Sequence, residues 1–129
     1  MKAQAGFSLI EVLLAVALIG ILGATVPSAL AGANRATISV NQHTTAESLA
    51  RSQMDYIQSQ SYDSVNATPV YALISDIPAS YSIVAAAQRL DPRGNGTATD
   101  DGLQSITVTV KHGDKIVFTL VDYKVNYRP

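Results

Sequence analysis

Cysteine and tryptophan are missing from this chain, histidine occurs twice, and only 15% of its 129 residues are charged. Without cysteine there is no thiol nucleophile, no thiolate metal site and no disulfide. The two histidines, His43 and His112, fall in a helix-forming stretch and in a turn-forming one, and read as solvated polar residues. No serine sits in a nucleophile-elbow pattern and no glycine-rich phosphate loop is present, so no catalytic site and no cofactor are expected. The formal net charge is −1, and Arg35, Arg51, Arg89, Arg93 and Arg128 are scattered rather than gathered in a basic stripe, which argues against nucleic-acid binding.

Charge is scarcest at the start. Between Lys2 and Arg35 the single charged residue is Glu11, at the head of an apolar run. Val12 through Ala33 carries no charge, and about twenty such residues suffice to span a hydrocarbon core. A carboxylate in a membrane helix costs roughly 2.5–3.5 kcal/mol at full depth and less near the interface. A plain anchor would gain by losing it, so Glu11 reads as functional once a partner is named. Cleavage after Gly6 would supply one: the new amine of Phe7 would lie four residues away, at the depth of the carboxylate on a neighbouring copy.

The stretch Gly6-Phe7-Ser8-Leu9-Ile10-Glu11-Val12-Leu13 resembles the cleavage and methylation signature of type IV prepilins and of the pseudopilins of type II secretion. The resemblance implies that Met1–Gly6 is a short leader, removed after Gly6 at the cytoplasmic face by a prepilin peptidase. That enzyme is also a methyltransferase and would N-methylate Phe7. It implies that Glu11 sets subunit register in a filament, and that the partners are other pilins or pseudopilins, an assembly platform protein and an ATPase. It further implies a single pass through the cytoplasmic membrane with the head outside, followed by an extracellular or periplasmic filament. Many major pilins of Gram-negative bacteria close their C-terminal region with a disulfide. Its absence here points to a minor pilin, a pseudopilin, or a lineage without that staple.

Two plainer readings compete. In one, Lys2, Leu9–Val26 and Ala29-Leu30-Ala31 form an ordinary secretory signal, cut before Gly32, that delivers a binding domain. That apolar run exceeds the usual 7–15 residues and begins beside a carboxylate. In the other, the helix is a simple anchor and Glu11 reaches for headgroups. Neither needs Glu11 or the Gly6–Phe7 junction.

The run is rich in small residues, with Gly20, Gly23 and Gly32 among many alanines. These let helix backbones approach closely where lipid supplies no hydrophobic drive. Pro27 removes one backbone donor and crowds the Gly23 carbonyl, which predicts a kink or a loosened turn over Gly23–Pro27.

Beyond the membrane, Ala46, Leu49, Ala50, Met54 and Ile57 recur at helical spacing and mark an apolar stripe. The helix is expected from Phe7 to about Ser59, roughly 80 Å at 1.5 Å per residue. Tyr81–Gln88 and Leu103–Lys111 read as strands, His112-Gly113-Asp114 as a turn, and Lys115–Val125 as the returning strand. The expected fold is α+β: a long N-terminal helix, membrane-spanning and then amphipathic, on a small antiparallel sheet of three or four strands. The divisions are a leader at 1–6, an assembly helix at 7–33, an amphipathic helix at 34–60 and a β-rich head at 61–129. Ile106, Val108, Val110, Val117 and Leu120 are the expected core of that head. Asp91–Gly102 clusters carboxylates and glycines that calcium could use, but it lacks the EF-hand spacing, and an ordinary turn-rich loop explains the same residues, so no metal site is expected.

Overall fold

The computed structural model describes residues 8–96 and 98–127, with the backbone alone at 24–26. It contains one helix, α1 (Leu9–Ser59), followed by β1 (Tyr81–Arg89), β2 (Leu103–His112) and β3 (Lys115–Val125). The chain divides into two compact units, 1–39 and 40–129, and α1 contributes to both.

In the first unit α1 is apolar on every side, and each described side chain from Ser8 to Ser39 is exposed. The most apolar part of α1 has a mean hydropathy of 2.5, and none of it is buried by the protein's own fold. Helices that are hydrophobic all round are stable only when something else covers them. Its described start is Leu9. The Ser8 carbonyl accepts from the amides of Glu11 (2.9 Å) and Val12 (3.2 Å), which makes Ser8 the N-cap. The expected start at Phe7 lies outside the described residues. Helical backbone continues through Pro27 without interruption.

In the second unit, Ala46, Ala50, Met54 and Ile57 of α1 face the sheet and are buried, with Leu49 partly so. The stripe read from sequence is therefore the helix half of the core. Among the described strands, three form an antiparallel sheet in the order β1-β2-β3. β2 is central, and the side chains on its helix side, Gln104, Ile106, Val108 and Val110, are all fully covered. Covering an isoleucine such as Ile106 is worth about 1.5–3 kcal/mol. Val117 and Leu120, expected in the core, are only partly buried. Both lie on the edge strand β3. The pairing shifts beside Val110/Lys111, where Val110 meets Phe118 and Lys111 meets Ile116, so Val117 is the extra residue of a bulge.

The β2–β3 turn holds only Gly113 and Asp114. Gly113 has φ 59° and, among the described residues, no non-glycine residue has positive φ, the sign pattern of a II′ turn with glycine first. His112 therefore ends a strand rather than entering the turn, and its ring meets Tyr81 edge-on at 4.9 Å. His43, exposed on α1, makes a similar contact with Phe118 at 5.3 Å.

Candidate functional site

The sequence-derived site residues lie along the first unit. Gly6 and Phe7 fall outside the described residues. Glu11 is the third residue of α1, exposed, at the positive end of the helix dipole where a carboxylate is favoured. With Ser8 as N-cap, Ser8-Leu9-Ile10-Glu11 also has the spacing of a capping box, a local role for Glu11 that composition alone did not suggest.

Pro27 is exposed within continuous helix. Its missing N–H deprives the Gly23 carbonyl of its usual partner, so the helix is weakened here without breaking. A methyl group added at Gly20, Gly23 or Gly32 would meet nothing within 4 Å. The chain's own packing therefore does not require glycine at these positions. Gly20, Gly23 and Pro27 follow at helical spacing and share one face.

The second unit contains a polar rung that sequence reading missed. In register across the sheet lie Arg89, Gln104 and Lys124, each on the helix side and each buried. Lys124 Nζ donates to the carbonyls of Ile57 (2.6 Å), Gln58 (3.1 Å) and Gln60 (2.7 Å), and sits 5.3 Å from the Tyr71 ring centre. The last turn of α1 has no basic residue of its own, so a lysine from 64 or more positions away supplies the cation that the helix C-terminus favours. Burial pushes the Lys124 ammonium below its ordinary pKa.

Gln104 accepts from the Tyr71 hydroxyl at 2.6 Å and donates to the Asp63 carbonyl at 2.8 Å. Gln53, inside the apolar stripe of α1 and fully covered, donates to the Ala72 carbonyl and accepts from the Ile74 amide. Tyr62 donates to Asp100 at 2.8 Å, and burial followed by that carboxylate raises its pKa. These contacts tie the irregular segment 60–79 to helix and sheet without a disulfide. Nothing in the spacing of these polar residues marks them as buried, because each is covered by backbone distant in sequence.

Asp91 and Asp101 of the Asp91–Gly102 loop are engaged by the loop itself. Asp91 accepts from the amides of Asn95 (2.9 Å) and Gly96 (2.7 Å), which holds its pKa below the usual carboxylate value. Asp101 accepts from the Arg93 amide and the Asn95 side chain. Gly94 and Gly96 have positive φ, as a tight loop demands. Among the described residues no three acidic or histidine side chains are placed to share a metal ion.

Residues 1–26 match the family model of the prokaryotic N-terminal methylation motif, the signature of type IV pilins and pseudopilins. No curated protein and no solved structure matches the chain. The motif supports a pilin-like or pseudopilin class of protein, a structural subunit processed by prepilin peptidase and assembled with other pilins. With the apolar helix, it fits a single-pass membrane-anchored protein.

Proposed function

We propose that this chain is a minor pilin or pseudopilin, a subunit of a type IV pilus or of a type II secretion pseudopilus. The observation that carries the proposal is an apolar helix with no cover of its own, headed by one carboxylate, whose start lies within the methylation motif at residues 1–26. Lipid can cover that helix in the waiting subunit, and sister helices can cover it in a filament. The glycines whose side-chain space is open fit the second state as well as the first.

The precursor inserts with residues 1–6 in the cytoplasm, the peptidase cuts after Gly6, and Phe7 is methylated. A platform protein and an assembly ATPase then add the subunit to the filament base. Addition through non-identical surfaces yields an open helix of subunits rather than a closed ring. Glu11 of the arriving subunit pairs with the Phe7 amine of the one above. Two charges that are costly in an apolar bundle are thereby matched, and only at one axial stagger. The lack of a disulfide and the small three-stranded head support a minor subunit over a major one. The second unit carries no catalytic role in this reading.

The test is the N-terminal mass of the protein recovered from native membranes. A chain beginning with N-methyl-Phe7 is the expected result. A chain beginning at Gly32, or an intact Met1 in cells with an active leader peptidase, would overturn the proposal.

A further inference from the structure

At the end of β1 the structure holds a cation without a counter-ion among the described residues. Arg89 is 6% exposed and lines a cavity of about 360 Å³ together with Ala67, Thr68, Gln88 and Ala98. Its guanidinium donates to the Ser64 carbonyl from Nη2 at 2.8 Å and to the Ala98 carbonyl from Nη1 at 3.4 Å. Nε is buried and has no acceptor among the described residues. A guanidinium carries five N–H donors, so more than half of its donor capacity has no protein partner among the described residues.

Carboxylates are plentiful in the flanking loops, yet none pairs with it. Asp63 accepts from the amides of Val65, Asn66 and Val70 and from the Asn66 side chain. Asp100 takes the Tyr62 hydroxyl and the Gly102 amide. Asp101 takes Arg93 and Asn95, and Asp91 takes Asn95 and Gly96. The ion pairs among the described residues are Glu47–Arg51 and Asp101–Arg93.

A buried charge left without a partner is unfavourable, and a group that completes it gains accordingly. The unused donors are Nε–H and one hydrogen on each of Nη1 and Nη2, and N–H groups of a guanidinium taken in adjacent pairs are what a carboxylate accepts with both oxygens. Thr68 and Gln88 line the same cavity, and both side chains carry donors. We propose that the Arg89 cavity binds a carboxylate, either a free small carboxylate or an acidic side chain of a second copy. The site lies wholly in the second unit, so its test depends on neither processing nor assembly.

The test uses the full chain in detergent micelles and follows the Nε–Hε resonance of Arg89, assigned by its loss in Arg89→Lys. Sodium acetate titrated into dilute protein should shift this resonance and the Thr68 and Ala98 amides along one saturating curve. Thr68→Val, which removes one hydroxyl, should weaken the response several-fold. Arg89→Lys keeps the charge without the fork, and the amide response should fall at least about tenfold, the loss of one charge-assisted bond. A shift that appears without acetate as protein concentration rises would identify a second copy as the source. A resonance that moves with neither acetate nor protein concentration, or an amide response unchanged in Arg89→Lys, overturns the proposal.

Discussion

Lys124 Nζ, on the last strand, donates to the Ile57 carbonyl at 2.6 Å, in the last turn of the only long helix among the described residues. The contact closes a loop of nearly seventy residues, and two neighbouring carbonyls share the same ammonium. Lys124→Met should keep most of the side-chain volume and leave those carbonyls short of a donor. The expected loss is about 2 kcal/mol of stability, read as a lower urea midpoint for the full chain in micelles. An unchanged midpoint would mean that water replaces the ammonium at no cost.

Asp63 organises the first loop after α1. Its carboxylate accepts from the Asn66 side chain and from the amides of Asn66, Val70 and Val65, which lowers its pKa from 3.8 to about 2. A carboxyl whose folded pKa is depressed stabilises the fold above its unfolded value, and this is lost as pH falls through the folded one. Stability should therefore be level above about pH 4 and fall toward about pH 2. Asp63→Asn should have a lower thermal midpoint at neutral pH and a shallower fall in acid. A residual slope is expected because Asp91 is shifted in the same direction. Parallel midpoint curves for the two proteins would show that Asp63 does not contribute this dependence.

Periodicity made most of the framework legible. The stripe from Ala46 to Ile57 and the alternation at Ile106, Val108 and Val110 are repeating signals, and both halves of the core stand where they pointed. The helix end at Ser59 and the limits of β3 also match the reading. Gln53, Gln104, Arg89 and Lys124 were not legible, since a buried polar side chain is fixed by the backbone that meets it. Those partners, such as Ala72 and Ile74 for Gln53, lie in a segment without periodicity. Val117 packs against the core but is only partly buried, and the bulge that sets its place has no proline or glycine in the strand to announce it. Of the candidate site, Glu11 stood out by charge alone, whereas its place after an N-cap serine required the backbone.

Pro27 tests whether the membrane helix needs a weak point. It is accommodated in unbroken helix, at the loss of one hydrogen bond to Gly23. Pro27→Ala should restore that bond and stabilise the isolated helix, by up to about 3 kcal/mol on intrinsic propensity. Insertion should be unaffected. If the helix must open here for subunits to pack, filament yield should drop while membrane levels hold. Equal yields would remove any mechanistic role for the proline.

Glu11 has two roles open to it, and one pair of variants separates them. As the third residue after an N-cap serine it can close a capping box, a role that glutamine fills nearly as well as glutamate. As the partner of a terminal amine it must carry a charge, which neither glutamine nor alanine supplies. Glu11→Gln and Glu11→Ala should both be inserted and processed, as shown by their N-terminal masses. If pairing is what the filament requires, both should enter filaments at least about tenfold less efficiently than the parent chain, since the amine is left unmatched in an apolar bundle. The measurement is the filament-to-membrane ratio of each variant, co-expressed with the parent chain under a distinguishable tag. Normal incorporation of Glu11→Gln alongside failure of Glu11→Ala would assign Glu11 to helix capping. Normal incorporation of both would leave the carboxylate with no part in assembly, and the register mechanism would fall with it.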